Sequence, residues 1–261
     1  MVEVVIAIFV FLIGISIGSF LNVCIYRMGK EESVVRPASH CPKCKKPIRP
    51  KDNIPLLSYL LLRGRCRDCG AKISFRYFFV ELLTGVIFLV MYRSFGLTPL
   101  FFIYSAFICG LIVATFVDFD FRIIPDEISL GGIAAGLVIS FIYPVLHHAP
   151  IHVLGLRESF FGVIVGGGVL WLLGVFGDLI FKKESMGGGD VKLLAMIGAF
   201  LGWKIALLSL PLASLIGAVV GIIIKIRTKE SVIAFGPYLS MGAIIGIFWA
   251  GDIFNFFFCI P

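Results

Sequence analysis

The stretch VVIAIFVFLIGISIGSFLNVCIY, residues 4–26, runs for 23 residues without a charge. Coiled as a helix it covers the roughly 30 Å of a bilayer's hydrocarbon core, a crossing that takes about 20 predominantly apolar residues. The rest of the chain has the same character. Of 261 residues 59% are hydrophobic, 26 are Phe and only 15% are charged, against about 25% charged in an ordinary soluble domain. The composition excludes a soluble globular protein and fixes the class as all-α and membrane-embedded. No basic segment precedes the first run, and it is longer than a signal peptide's apolar core, so it is expected to stay as the first span.

Working outward, further uncharged runs lie at 94–117, 128–156, 159–177, 205–224 and 231–251. Two shorter runs, 82–92 and 193–203, become spans once Glu81 and the region of Asp190 are drawn into helix ends. The expectation is about eight transmembrane helices. Basic residues orient them, because cytoplasmic loops are enriched in Lys and Arg. With the N-terminus outside, 20 of the 23 Lys and Arg face the cytoplasm, and Arg93, Arg157 and Lys204 are the exceptions. The net charge of +7 is therefore read as membrane orientation, and a nucleic-acid partner is not expected.

The one sizeable polar segment, residues 27–77, carries Cys41-Pro-Lys-Cys44 and, after 21 intervening residues, Cys66-Arg-Asp-Cys69-Gly70. Two such pairs suit a tetrahedral four-thiolate zinc site, with Gly70 letting the backbone bend around sulfur. Two disulfides are the alternative, and a loop in the reducing cytoplasm argues against them. With every ligand position filled by Cys the zinc is structural, and a module this small depends on it. Stacking aromatics are sparse, which again disfavours nucleic acid. His40 is read as a solvated loop residue. Cys24, Cys109 and Cys259 are read as small buried hydrophobes, and His147, His148 and His152 as an exposed turn at the outer end of the fourth span.

Ionisable groups within spans are candidate functional sites. Asp118 closes a 24-residue uncharged run and Asp190 opens the sixth span, 72 residues later, both at the cytoplasmic boundary. Two carboxylates at matched depth, facing each other between helices, hold one proton between them. One draws a proton from water while the other polarises a carbonyl, which is the equipment of an aspartic peptidase. Gly187, Gly188 and Gly189, lacking Cβ atoms, would leave room for a substrate backbone; taken alone, the motif fits a flexible loop ending in an Asp helix cap. Asp126 after Pro125 reads as an N-cap, and Lys192 as a cytoplasmic anchor. Asn22 reads as an interhelical hydrogen-bonder. Repeated Gly-x-x-x-Gly pairs, Gly14/Gly18 and Gly162/Gly166 among them, suit close helix packing.

The motifs GSFLNVCIYR (18–27), NIPLLSYLLLRGRCRDCG (53–70), YFFVELL (77–83), VDFDFRIIPDEISL (117–130) and GGGDVKLLAMIGAFLG (187–202) occur in an order that spans most of the chain. Together they resemble the type IV prepilin peptidase family, the bacterial GxGD aspartic proteases that also process type II secretion pseudopilins. The resemblance implies an inner-membrane enzyme that cuts basic leader peptides from prepilins on the cytoplasmic side, after glycine. It places the catalytic pair at Asp118 and Asp190. It also implies N-methylation of the new terminus with S-adenosylmethionine, associated with the N-terminal region and the cysteine loop. No dinucleotide-type glycine motif marks that second activity; Glu81, beside the loop, is the candidate for it, with an ion pair to Arg76 or another loop cation as the competing account. The implied division is a first helix (1–26), a zinc loop (27–77) and a peptidase domain (78–261). Two other readings compete: a non-enzymatic transport or assembly protein using its carboxylates as an ion relay, and a GxGD protease with other membrane substrates.

Overall fold

In a computed structural model, residues 1–182, 186–228 and 233–258 are described, and every extended element among them is helical. In chain order these are α1 (Val2–Met28), α2 (Leu57–Leu61), α3 (Phe75–Phe95), α4 (Pro99–Phe121), α5 (Asp126–Ile142), α6 (His152–Phe181), α7 (Gly188–Thr228) and α8 (Gly236–Phe258). Six of them, all but α2 and α5, are long and apolar enough to cross a membrane. Straight, the 41 residues of α7 would reach about 60 Å, twice the hydrocarbon core. Instead Gly202, at φ 78° and ψ 168°, breaks it into two segments, in a conformation that favours glycine. With α7 counted as two segments and the 17-residue α5 added, the described residues hold eight long helical segments, the number expected, though α5 is not among the helices long enough to cross.

The fourth and fifth spans are partitioned differently from the expectation. The uncharged run 128–156 does not form one helix. α5 stops at Ile142, Pro144 opens a 3-10 turn through His147, and α6 begins at His152 rather than at residue 159. A proline has no N–H to give to a continuing helix, and this is where the chain turns. The three histidines do not gather. His147 Nε2 lies 2.9 Å from the Ser140 hydroxyl, and His152 Nδ1 lies 2.6 Å from the carbonyl of Phe141. Cys24 is buried and Cys109 half-buried; Cys259 lies outside the described residues.

The chain divides into two compact units, Met1–Val113 and Ala114 onward, with the boundary inside α4. In the first, α1 packs along α3. A Cβ on Gly18 would sit 2.8 Å from the Cα of Glu81, so only glycine allows this approach. One turn on, Asn22 donates to the carbonyl of Tyr77 across the same interface at 3.0 Å, the interhelical bond its position suggested. In the second unit α6 packs against α7, which also contacts α5 and α8. At the α6–α7 crossing a Cβ on Gly162 would collide with the backbone carbonyl of Gly198, so the contact is backbone on backbone.

That crossing yields a test. Gly162→Leu should lower the thermal midpoint of the purified protein by several degrees, as overpacking costs about 1–3 kcal/mol. Gly131→Ala, on α5 with nothing within 4 Å of its Cβ position, should leave the midpoint unchanged or slightly raised. Equal effects from the two substitutions would contradict the packing described.

Candidate functional sites

In the second unit, the apolar run of α4 delivers Asp118 to its last turn, where the side chain is 7% exposed. A buried carboxylate needs donors. Asp118 Oδ2 accepts the N–H of Gly236, the first residue of α8, at 3.0 Å. A Cβ on Gly236 would lie 2.9 Å from that oxygen and 3.1 Å from Ile124, so a side chain there would push the donor away. Asp190 stands in the first turn of α7, half-buried, and its N–H closes a turn onto the Gly187 carbonyl at 3.1 Å. The preceding Gly189 lies against Ile124 as well, 3.1 Å from a would-be Cβ to the Ile124 Cβ. The end of α4, the start of α7 and the start of α8 therefore converge on Ile124. The carboxylates of Asp118 and Asp190 lie within electrostatic reach of each other.

The three glycines before Asp190 differ in what constrains them. Gly189 is fixed by packing. A Cβ on Gly188 would meet nothing within 4 Å, and one on Gly187 would meet only Asp190 Oδ2, at 3.6 Å. Open space thus borders the second carboxylate. Asp126 departs from its expected role: it is the first residue of α5, Pro125 holds the cap position, and no side chain caps the helix. The Asp126 carboxylate instead takes the ammonium of Lys192, tying the start of α5 to the start of α7. Lys192 is accordingly engaged by a partner rather than a simple anchor. Asp120, Asp178 and Asp252 are exposed. Gly236 and Ile124 were not anticipated. The Gly236-Pro237 pair does signal a helix start, but nothing in the sequence says which carboxylate that start will face.

In the first unit, the sulfurs of Cys41, Cys44, Cys66 and Cys69 lie within 4.8 Å of one another, and all four thiols are free. Cys41 and Cys69 Sγ are 3.8 Å apart, matching the sulfur–sulfur edge of about 3.8 Å in a tetrahedron with 2.3 Å zinc–sulfur bonds. Each pair sits in a tight turn, with Lys45 N–H bonded to the Cys41 carbonyl and Gly70 N–H to that of Cys66. Lys45 and Gly70 occupy equivalent positions with φ of 59° and 67°, so the predicted bend at Gly70 has a counterpart that is not glycine. The Cys44 N–H, together with that of Lys43, pulls the Cys41 thiol down to about 6, preparing a thiolate ligand. The donor set fits zinc. His40 stays outside the cluster, beside the carbonyl of Ala38.

Between this module and the ends of α1 and α3 lies a cavity of about 780 Å³. Glu81 borders it, 8% exposed, its Oε2 accepting the Leu56 N–H at 2.7 Å. The competing account, an ion pair of Glu81 to Arg76 or another loop cation, finds no such pair among the described residues. Arg27, 6% exposed, turns its guanidinium to the carbonyls of Ser33, Val34 and Pro37 and so folds the module's first loop onto α1.

The model of the Bacterial Peptidase A24 N-terminal domain matches residues 12–95, and that of the Type IV leader peptidase family matches residues 105–222. Three similar proteins carry the name prepilin leader peptidase/N-methyltransferase. The Aeromonas salmonicida protein is 36% identical, covering 94% of this chain and 91% of its own length. The Pseudomonas aeruginosa protein is 35% identical, covering 93% and 90%. The Myxococcus xanthus protein is 40% identical over 86% of this chain, which spans 65% of that relative's length. No solved structure matches.

Zinc removal tests the cysteine module. Metal analysis of the purified protein should give one zinc per chain. Cys41→Ser should lose it and leave residues 27–77 open to limited proteolysis, because a closed four-thiolate site contributes folding free energy outright. A zinc-free wild-type protein with a protease-resistant module would refute the assignment.

Proposed function

Because the chain belongs to the type IV leader peptidase family, we propose that it is a membrane-embedded aspartic endopeptidase that removes the leader of type IV prepilins or type II secretion pseudopilins. The observation that carries the reading is the convergence of the α4 and α7 ends on Ile124, which brings Asp118 and Asp190 into each other's field. In the proposed reaction one carboxylate takes a proton from water as the water oxygen adds to the scissile carbonyl carbon. The other gives its proton to the carbonyl oxygen, and the returning protons release the amine. Gly236 holds one oxygen of Asp118 in place. Gly187 and Gly188 leave room for an extended substrate backbone, and Gly189 seats the turn.

The printed names of the relatives support a second activity, N-methylation of the newly exposed amine, with S-adenosylmethionine as donor. We assign that step to residues 27–77 with the adjacent helices, and cleavage to residues 78–261. Glu81 is the residue proposed to attract the positively charged amine. Zinc is proposed to be structural. The site is proposed to face the cytoplasm across the bacterial inner membrane with the N-terminus outside, a reading supported by the 20 of 23 basic residues on that side.

Two predictions follow from the carboxylate geometry. Asp118→Asn and Asp190→Asn, still inserted in the membrane, should each lose cleavage of a co-expressed prepilin by about 10²–10⁴-fold or more. Full activity in either variant would overturn the reading. Asp126→Asn should retain most activity, since a partly exposed pair contributes about 0–1 kcal/mol; a loss as deep as that of Asp118→Asn would move the active centre.

A further inference from the structure

We infer that the cavity beneath the cysteine module is the binding site of the methyl donor, with Glu81 opposite its sulfonium and Asn22 accepting one of its hydrogen bonds. This inference rests on the methyltransferase reading and extends it to a place and a set of residues, giving the charge of Glu81 to the donor's sulfonium in place of the prepilin amine.

The charges around the cavity lead to it. Three carboxylates line its wall. Asp52 is paired with Arg67 at 2.6 Å, and Asp68 lies 3.5 Å from Lys46 and 3.6 Å from Arg49. Glu81 has no ion-pair partner among the described residues; it is met by the Leu56 N–H and the Ser19 hydroxyl. The lining also carries seven Lys and Arg: Lys46, Arg49 and Arg67 pair with the two aspartates, Arg27 is turned to three backbone carbonyls, Arg76 lies over the ring of Tyr77, and neither Lys43 nor Lys72 forms an ion pair with Glu81 among the described residues. A buried carboxylate without a counter-charge is costly, and a cationic ligand relieves that cost.

The second observation is independent of charge. Asn22 is 1% exposed and lines the same cavity; its Nδ2 is committed to Tyr77 and Gly18, but its Oδ1 has no hydrogen-bond partner. Buried polar atoms in native proteins are nearly always satisfied, so this acceptor calls for a donor from a ligand. The ligand must therefore combine a cation with N–H or O–H donors. Tyr59 in the lining offers an aromatic surface for a purine, whereas the rings of Tyr26 and Tyr77 already carry Lys30 and Arg76. A volume of about 780 Å³ falls within the roughly 300–1,000 Å³ of small-molecule pockets. An adenosyl sulfonium meets each requirement.

The test compares binding of S-adenosylmethionine with that of S-adenosylhomocysteine, its neutral thioether, to the full-length zinc-loaded protein in detergent, by calorimetry. Wild type should bind the sulfonium about tenfold more tightly than the thioether, the discrimination expected of one buried charge partner. Glu81→Gln, with its zinc content unchanged as proof of a folded module, should bring that ratio close to one. Asn22→Leu should weaken both ligands alike. An unchanged ratio in Glu81→Gln overturns the inference, as does absence of saturable binding in a wild type that methylates. The methyltransferase reading is tested separately: it fails if a co-expressed prepilin, cut by wild type, carries no N-methyl group by mass spectrometry.

Discussion

A carboxylate at the edge of a hydrocarbon layer must find its donors within the protein, and that demand organises the second unit. Asp118 ends an apolar helix and is buried. Its hydrogen bond from the Gly236 N–H fixes where α8 can begin, because any side chain at 236 would part donor from acceptor. Ile124 then packs between that start and Gly189, at the start of α7. The position of Asp190 relative to Asp118 is thus set by backbone packing around one aliphatic side chain, and the Asp126–Lys192 pair adds a second tie between the same loops.

The first unit answers a similar demand with different means. Its polar module is too short to build a sizeable core, and it gathers four thiols within 4.8 Å of one another. Arg27 ties the module to the end of α1 and Leu56 ties it to Glu81 on α3. The cavity exists because these ties hold the module over the helix ends without filling the space beneath it. The two units also divide the candidate chemistry: the carboxylates Asp118 and Asp190 lie in one, and the cavity bordered by Glu81 lies in the other.

How much of this is legible in the sequence depends on the length scale of the physics involved. Apolar runs bounded by charges report the spans, since a charge in hydrocarbon is costly wherever it falls. The thiol spacing reports the four-cysteine cluster, since each cysteine pair is local. Pro144 is a helix breaker inside the run 128–156, and a reading by charge alone passes over it. Asp126 looked like a cap because its neighbours fit one; its partner, Lys192, is 66 residues away, and no local pattern encodes that. Gly236 was unreadable for the same reason, its acceptor being 118 residues distant. Asn22 was recognised as an interhelical donor, but its empty acceptor becomes visible only once the cavity is formed.

The account's central claim is that Asp118 and Asp190 act as one unit, and the double variant tests it most directly. Cleavage rates of a prepilin should be measured for Asp118→Asn, Asp190→Asn and the two combined, in membranes containing equal amounts of each protein. Groups that share one reaction step are strongly non-additive, so the double variant should be no slower than the slower single variant. Losses that multiply would mean that the two carboxylates work independently, and would contradict the account.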